Sequence, residues 1–287
     1  MTHELEPRPG ETLGTETKAY APDGTWYADA LPRSPKASPL TVVLMHGVGL
    51  DLDMWDGQAK ALSEHYRVLR YDMYGHGKSP SLPHQSSLQD YCKQLSGLLD
   101  HLGIQTVVPV GFSMGGVIAQ RFAADNPDRL GGVVLMSTVY RRTQAELAGV
   151  RERLKVTEQN GIGDIIELAV TRWLPEEFQA KHPQAVTWLR AKMGQNDRRG
   201  YTDAYRTFVQ ADADVGDALT QVRCPALVIT GGDDVGSTPA IAERMAAALD
   251  NAKLVVLDGL RHMVTMQDPE RVTGLLTDFL SSVSDSN

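Results

Sequence analysis

Cysteine is nearly absent from the 287-residue chain: Cys92 and Cys224 are the only two, far apart and each in an apolar segment. That excludes a disulfide framework and a paired metal-ligand spacing, and both read as buried thiols. No apolar run approaches a membrane span. The opening Met-Thr-His-Glu-Leu-Glu-Pro lacks the basic start and apolar stretch of a secretory signal. No lysine or arginine block stands out either. The 28 basic and 36 acidic residues leave a formal net charge of −8, which argues against a nucleic-acid or anionic-membrane partner. At 42% hydrophobic and 22% charged the composition is that of a globular protein, long enough to bury a core without metal or disulfide. A soluble, cytoplasmic protein is expected, with polar, loose ends at 1–14 and 281–287. Whether it forms a homo-oligomer is left open.

What is present alternates. Short β-type runs recur at 41–45, 67–71, 106–110, 132–136, 226–230 and 253–257, nearly unbroken in apolar character, as strands covered on both faces are. Helical patterns lie between them, the clearest being Leu88, Tyr91, Cys92, Leu95, Leu98, Leu99 and Leu102. Such alternation predicts an α/β fold with a mostly parallel sheet flanked by helices. Pro22-Asp23-Gly24 between Thr15–Tyr20 and Thr25–Ala28 predicts an antiparallel hairpin at the start. Residues 140–222 break the alternation, because they hold no β-type run and read as several helices. The expected division is therefore a core of 1–139 and 223–287 with a helical cap of 140–222 over the strands' C-terminal ends, where open α/β sheets bind ligands. Asp268-Pro269 marks the start of a last helix with Val272, Leu275, Leu276 and Phe279 as its buried stripe.

Gly111-Phe-Ser113-Met-Gly115-Gly116 follows one of these strands and leads into a helical run. A Gly-x-Ser-x-Gly placed there is a sharp turn that lifts a strained serine above the sheet. A serine nucleophile needs a base, and the base needs a carboxylate. Both occur downstream on strand-end loops, in Gly231-Gly-Asp-Asp234 and Leu260-Arg-His262-Met263. The order Ser, Asp, His matches the α/β-hydrolase arrangement. His262 is the expected base, while His46 and His76 flank glycine turns in a structural role. Asp233, Asp234 and Asp258 compete as the acid, and spacing alone leaves them open. The backbone amides of Val48, in His46-Gly-Val-Gly49, and of Met114 are the expected oxyanion donors. Gly47-Val-Gly49 with Asp72 imitates a dinucleotide-binding turn, but Leu52 stands where close helix packing wants Gly or Ala. No metal or cofactor is called for.

With these residues in hand, the chain resembles the α/β-hydrolase superfamily over nearly its whole length, and within it the 3-oxoadipate enol-lactonase-like serine hydrolases. The matching stretches are Gly49–Trp55, Tyr66–Asp72 with Gly75–Ser79, Gly111–Gly116, Arg172-Trp173 with Pro175, and Gly200-Tyr201. The resemblance implies Asp234 as the acid, from the pattern Gly-x-x-Asp. It also implies a helical cap and an acyl-serine mechanism on a small ester or lactone, one that bears a carboxylate. Nine arginines lie in the insertion, at 141, 142, 151, 153, 172, 190, 198, 199 and 206. Arg172 is the first choice to grip that carboxylate, with Trp173 and Trp55 as pocket walls. Two departures bear on substrate: His46-Gly47 replaces the lactonases' Asn-Ser, and Met263 replaces the Trp of many carbon-carbon hydrolases. Amide, enamide or carbon-carbon cleavage, or a ligand receptor that retains the triad, are the alternatives.

Overall fold

The computed structural model describes residues 14–34 and 40–284. The expectation of loose ends at 1–13 and 285–287 lies outside the described residues. Among these the chain forms one eight-stranded sheet in the order β1-β2-β4-β3-β5-β6-β7-β8. Its strands are β1 (Glu16–Tyr20), β2 (Trp26–Ala30), β3 (Thr41–Met45), β4 (Arg67–Tyr71), β5 (Val107–Phe112), β6 (Val133–Met136), β7 (Ala226–Gly231) and β8 (Ala252–Leu257). The pairs β1–β2 and β2–β4 are antiparallel, and all others are parallel. The opening hairpin turns at Gly24 (φ 87°), where Asp23 accepts from the Thr25 amide at 2.9 Å. Such an Asx turn lets a short side chain close the loop. β3 to β7 are buried along almost their whole length. β8 is not: it forms one edge of the sheet and leaves Lys253 exposed, so its apolar run is covered less completely than the sequence suggests.

The core helices are α1 (Asp56–Leu62), α2 (Leu88–His101) and α3 (Met114–Asp125). All seven expected apolar positions of the α2 pattern are buried. Between β6 and β7 come α4 (Gln144–Asn160), α5 (Gly163–Trp173), α6 (Glu176–Lys181), α7 (Pro183–Gly194) and α8 (Arg198–Val215), with no strand among them. Then follow α9 (Pro239–Ala247), α10 (Val264–Gln267) and α11 (Pro269–Ser284). α11 corrects two expectations. Its buried stripe is Val272, Leu276, Leu280 and Val283, with Leu275 and Phe279 half-buried, so residues 281–284 continue the helix instead of fraying. Cys92 is buried and Cys224 only half-buried. No helix of the described residues is long and apolar enough to cross a membrane.

The strand order positions the site. The chain leaves β3 outward to β4 and then crosses back to β5, so the order reverses between β3 and β5. A crevice opens at the C-terminal ends of such a pair. Met45 and Gly111 are register partners there, which puts the turn after β3 beside the turn after β5.

Candidate active site

Ser113 sits between β5 and α3 with φ 53° and ψ −113°, a strained backbone for a non-glycine residue. The surroundings fix it: its amide donates to the Met136 carbonyl at 2.9 Å, and the Thr138 hydroxyl donates to its carbonyl at 2.6 Å. The first turn of α3 must lie hard against the end of β3. A Cβ on Gly115 would stand 2.5 Å from the Met45 carbonyl oxygen, so only glycine lets the helix approach so closely.

Asp234 and His262 come from the loops after β7 and β8. His262 Nδ1 lies 2.7 Å from Asp234 Oδ2, and both residues are buried. The other carboxylate oxygen accepts from the amides of Gly236 at 2.8 Å and Ser237 at 3.0 Å. Burial pushes the Asp234 carboxyl up, but His262 and these two amides outweigh it and hold the group below the usual carboxylate range. With Nδ1–H committed to the carboxylate, Nε2 carries the imidazole's lone pair. The ring packs against Phe112, at 5.0 Å between centroids, and Trp173, at 5.3 Å. Asp233 and Asp258 are exposed instead.

The Val48 amide is aimed by its own peptide. The Gly47 carbonyl accepts from the Leu50 amide at 3.2 Å and lies 2.8 Å from His46 Nδ1, so that nitrogen is the donor. His46 Nε2 accepts from the Met73 amide at 2.9 Å, which fixes the tautomer. In a trans peptide the N–H points opposite to the carbonyl, so anchoring Gly47 O directs the Val48 N–H the other way. Met114 heads α3, and the first amides of a helix have no intrahelical acceptor.

Ser113, His262 and Val48 line one cavity of about 240 Å³, roofed by residues of α4, α5 and α8. Trp173 and Arg172 line it as expected. Trp55 does not: the 3₁₀ turn Leu52–Trp55 directs its indole into the core, where it is fully buried, and it lines no part of this cavity. Arg172 is largely buried, and burial together with the nearby Arg153 charge pushes its guanidinium below the ordinary value. Most of the insertion's arginines are spent elsewhere. Arg142 pairs with Asp212, Arg190 with Glu167, Arg206 with Asp203 and Glu158, and Arg141 with Asp217. Among the described residues, Arg172 has no ion pair or hydrogen bond from its side chain. Arg153, which also lines the cavity, bonds to the Tyr205 hydroxyl at 2.9 Å and, among the described residues, has no ion pair.

Arg153 is the residue that sequence reasoning did not single out. The signal was available as a stripe: Glu146, Gly149, Val150 and Arg153 share one face of α4 and all line the cavity. Tyr201, Tyr205 and Phe208 form a second stripe on α8, their rings stacked at 5.9 and 6.4 Å.

This geometry has relatives. The family described as alpha/beta hydrolase fold matches residues 41–269, and the chain belongs to it. It is a hydrolase of that fold. Among curated proteins it is 32% identical to (E)-2-((N-methylformamido)methylene)succinate hydrolase of Acinetobacter baylyi, over 84% of this chain and 90% of that one. It is 27% identical to 3-oxoadipate enol-lactonase 1 of the same organism, over 87% and 91%. Among solved structures, a malate-bound thermophilic esterase from Thermogutta terrifontis superposes with a TM-score of 0.81 at 29% identity, covering 94% of this chain and 99% of that one.

Proposed function

We propose that the protein is a serine hydrolase that cleaves a small, carboxylate-bearing ester or lactone through an acyl-serine intermediate. The observation that carries this reading is the His262–Asp234 pair at 2.7 Å, on a cavity shared with the strained Ser113. Ser113 Oγ attacks the acyl carbon while His262 Nε2 takes its proton and returns it to the leaving oxygen. Water then attacks the acyl-serine, gives its proton to His262 and releases the acid, with the proton passing back to Ser113. Asp234 orients the imidazole and stabilises its cation. The Val48 and Met114 amides receive the charge that develops on the acyl oxygen. Residues 140–222 act as the cap that closes the site from above.

Substrate charge follows from the two cavity arginines without acidic partners. Desolvated guanidinium groups want an anion, and Arg172 and Arg153 together suit a small acid with one or two carboxylates. The relative named for a succinate derivative and the malate-bound esterase agree with that charge. The first of these also favours a second reading, cleavage of an N-acyl enamide by the same residues. Turnover of an enamide-bearing acid but of no aryl ester would select it.

Two esters test the arginine: neutral 4-nitrophenyl acetate and anionic 4-nitrophenyl hydrogen succinate. Arg172→Ala is expected to raise KM for the succinate ester alone, by about 1.5 to 3 kcal/mol or roughly 10- to 150-fold. Equal losses on both esters would assign Arg172 a packing role beside Trp173.

A further inference from the structure

The oxyanion turn is not held by the core sheet alone. Gly47–Leu50 is closed by the Leu50 amide and has Gly49 in its third position at φ 81°, the left-handed backbone that this kind of turn demands. From the insertion, Asn196 Nδ2 donates to the Gly49 carbonyl at 2.8 Å. Lys192, on α7, places Nζ 2.6 Å from both Asp51 Oδ2 and Asp53 Oδ2, just beyond the turn. Tyr201 packs against Gly49 so closely that a Cβ there would meet its ring at 2.9 Å. Asn196 also donates to the Lys192 and Met193 carbonyls, so one amide group ties the end of α7 to the turn.

We propose that the C-terminal end of α7 is a positioning element for catalysis: Asn196, anchored by the Lys192–Asp51–Asp53 bridge, holds the Val48 amide on the developing oxyanion. This rests on the reading of Val48 as an oxyanion donor. Its physical basis is that a donor is effective only when preorganised at the place where charge appears, and groups of the insertion hold this turn's third residue through its carbonyl and its packing face. The cap then completes the catalytic centre as well as enclosing the substrate. Neither Asn196 nor Lys192 lines the active-site cavity, so neither is expected to contact the substrate.

Asn196→Ala, Asn196→Asp and Lys192→Met are the variants, with thermal unfolding recorded for each. The probes are 4-nitrophenyl acetate, the product acid of the succinate ester, and an arylboronic acid. Boron accepts Ser113 Oγ, the serine proton passes to His262, and a boron hydroxyl then occupies the oxyanion site. Asn196→Ala is expected to lower kcat about tenfold or more with KM nearly unchanged, and Asn196→Asp further, because its carboxylate faces the Gly49 carbonyl. Boronate affinity should fall by the same factor while product affinity stays within about twofold. Lys192→Met should show the same split more weakly. Unchanged kcat in folded variants, or equal weakening of boronate and product, would overturn the proposal and leave Asn196 a helix-end cap. A wild-type protein that forms no boronate adduct and cleaves no ester would instead overturn the serine-hydrolase reading itself.

Discussion

Asp234→Asn is expected to lower turnover by about 10⁴-fold, whereas Asp233→Asn and Asp258→Asn should leave it within about twofold. The asymmetry follows from position. Asp234 is buried, accepts from two backbone amides through one oxygen and meets His262 Nδ1 at 2.7 Å through the other. An amide in its place permits the wrong imidazole tautomer and leaves a buried imidazolium unsupported. Asp233 and Asp258 face solvent, and removing their charge disturbs nothing buried. Steady-state kinetics on an ester that the wild type turns over checks this. A crippled Asp233→Asn beside an active Asp234→Asn would contradict it.

Acid is expected to destabilise the fold well above the carboxylate range. His46 and His76 are buried with their rings 5.1 Å apart. Burial depresses the His46 imidazole to about 4, against a smaller opposing effect of the Gly47 carbonyl. Burial, and then the neighbouring His46, depress His76 to about 3. Below the ordinary value of 6.5 the unfolded chain protonates both rings while the native state does not. Stability therefore falls by about 1.4 kcal/mol per ring for each pH unit below that point. Asp72 opposes this. Burial raises its carboxyl to about 6 although the Lys78 and Leu52 amides pull it down, so between 6 and the usual carboxylate value the native state gains a proton first and is stabilised as pH falls. Two imidazoles against one carboxyl leave a net loss on the order of 1 kcal/mol per pH unit as pH falls from about 6 toward 4, large beside a total of about 5 to 15 kcal/mol. Urea unfolding at pH 7 and pH 4.5 measures it. A midpoint that holds or rises at pH 4.5 would contradict this assignment.

The sheet was legible because each parallel strand is a short apolar run with a helix behind it. The elbow was legible because glycines flank a serine at a strand-to-helix junction. Legibility ended where direction in space, and not residue type, decides. Asp233 and Asp234 are neighbours in one loop, and only the fold of Gly231–Ser237 turns one carboxylate inward to His262 and the other to water. Trp55 lies four residues past the N-cap Asp51, at the end of a 3₁₀ turn whose entry angle no pattern predicts, so wall and core were equally compatible with its sequence context. Arg153 was hidden among nine insertion arginines. Its distinction is that it lines the cavity while Arg142, Arg190 and Arg206 are paired with acidic residues of the insertion, a fact of tertiary packing. The anchoring of Gly49 by Asn196 joins residues 147 positions apart and leaves no local trace.

The central claim, that Ser113 is a nucleophile activated by His262, is tested most directly by reaction of the folded protein with a fluorophosphonate probe, which phosphonylates an activated serine and expels fluoride. The wild type is expected to be labelled stoichiometrically, with the label on the peptide containing Ser113, and Ser113→Ala to take up none while unfolding at the same temperature. An unlabelled wild type, or a Ser113→Ala variant labelled to the same extent, would contradict it.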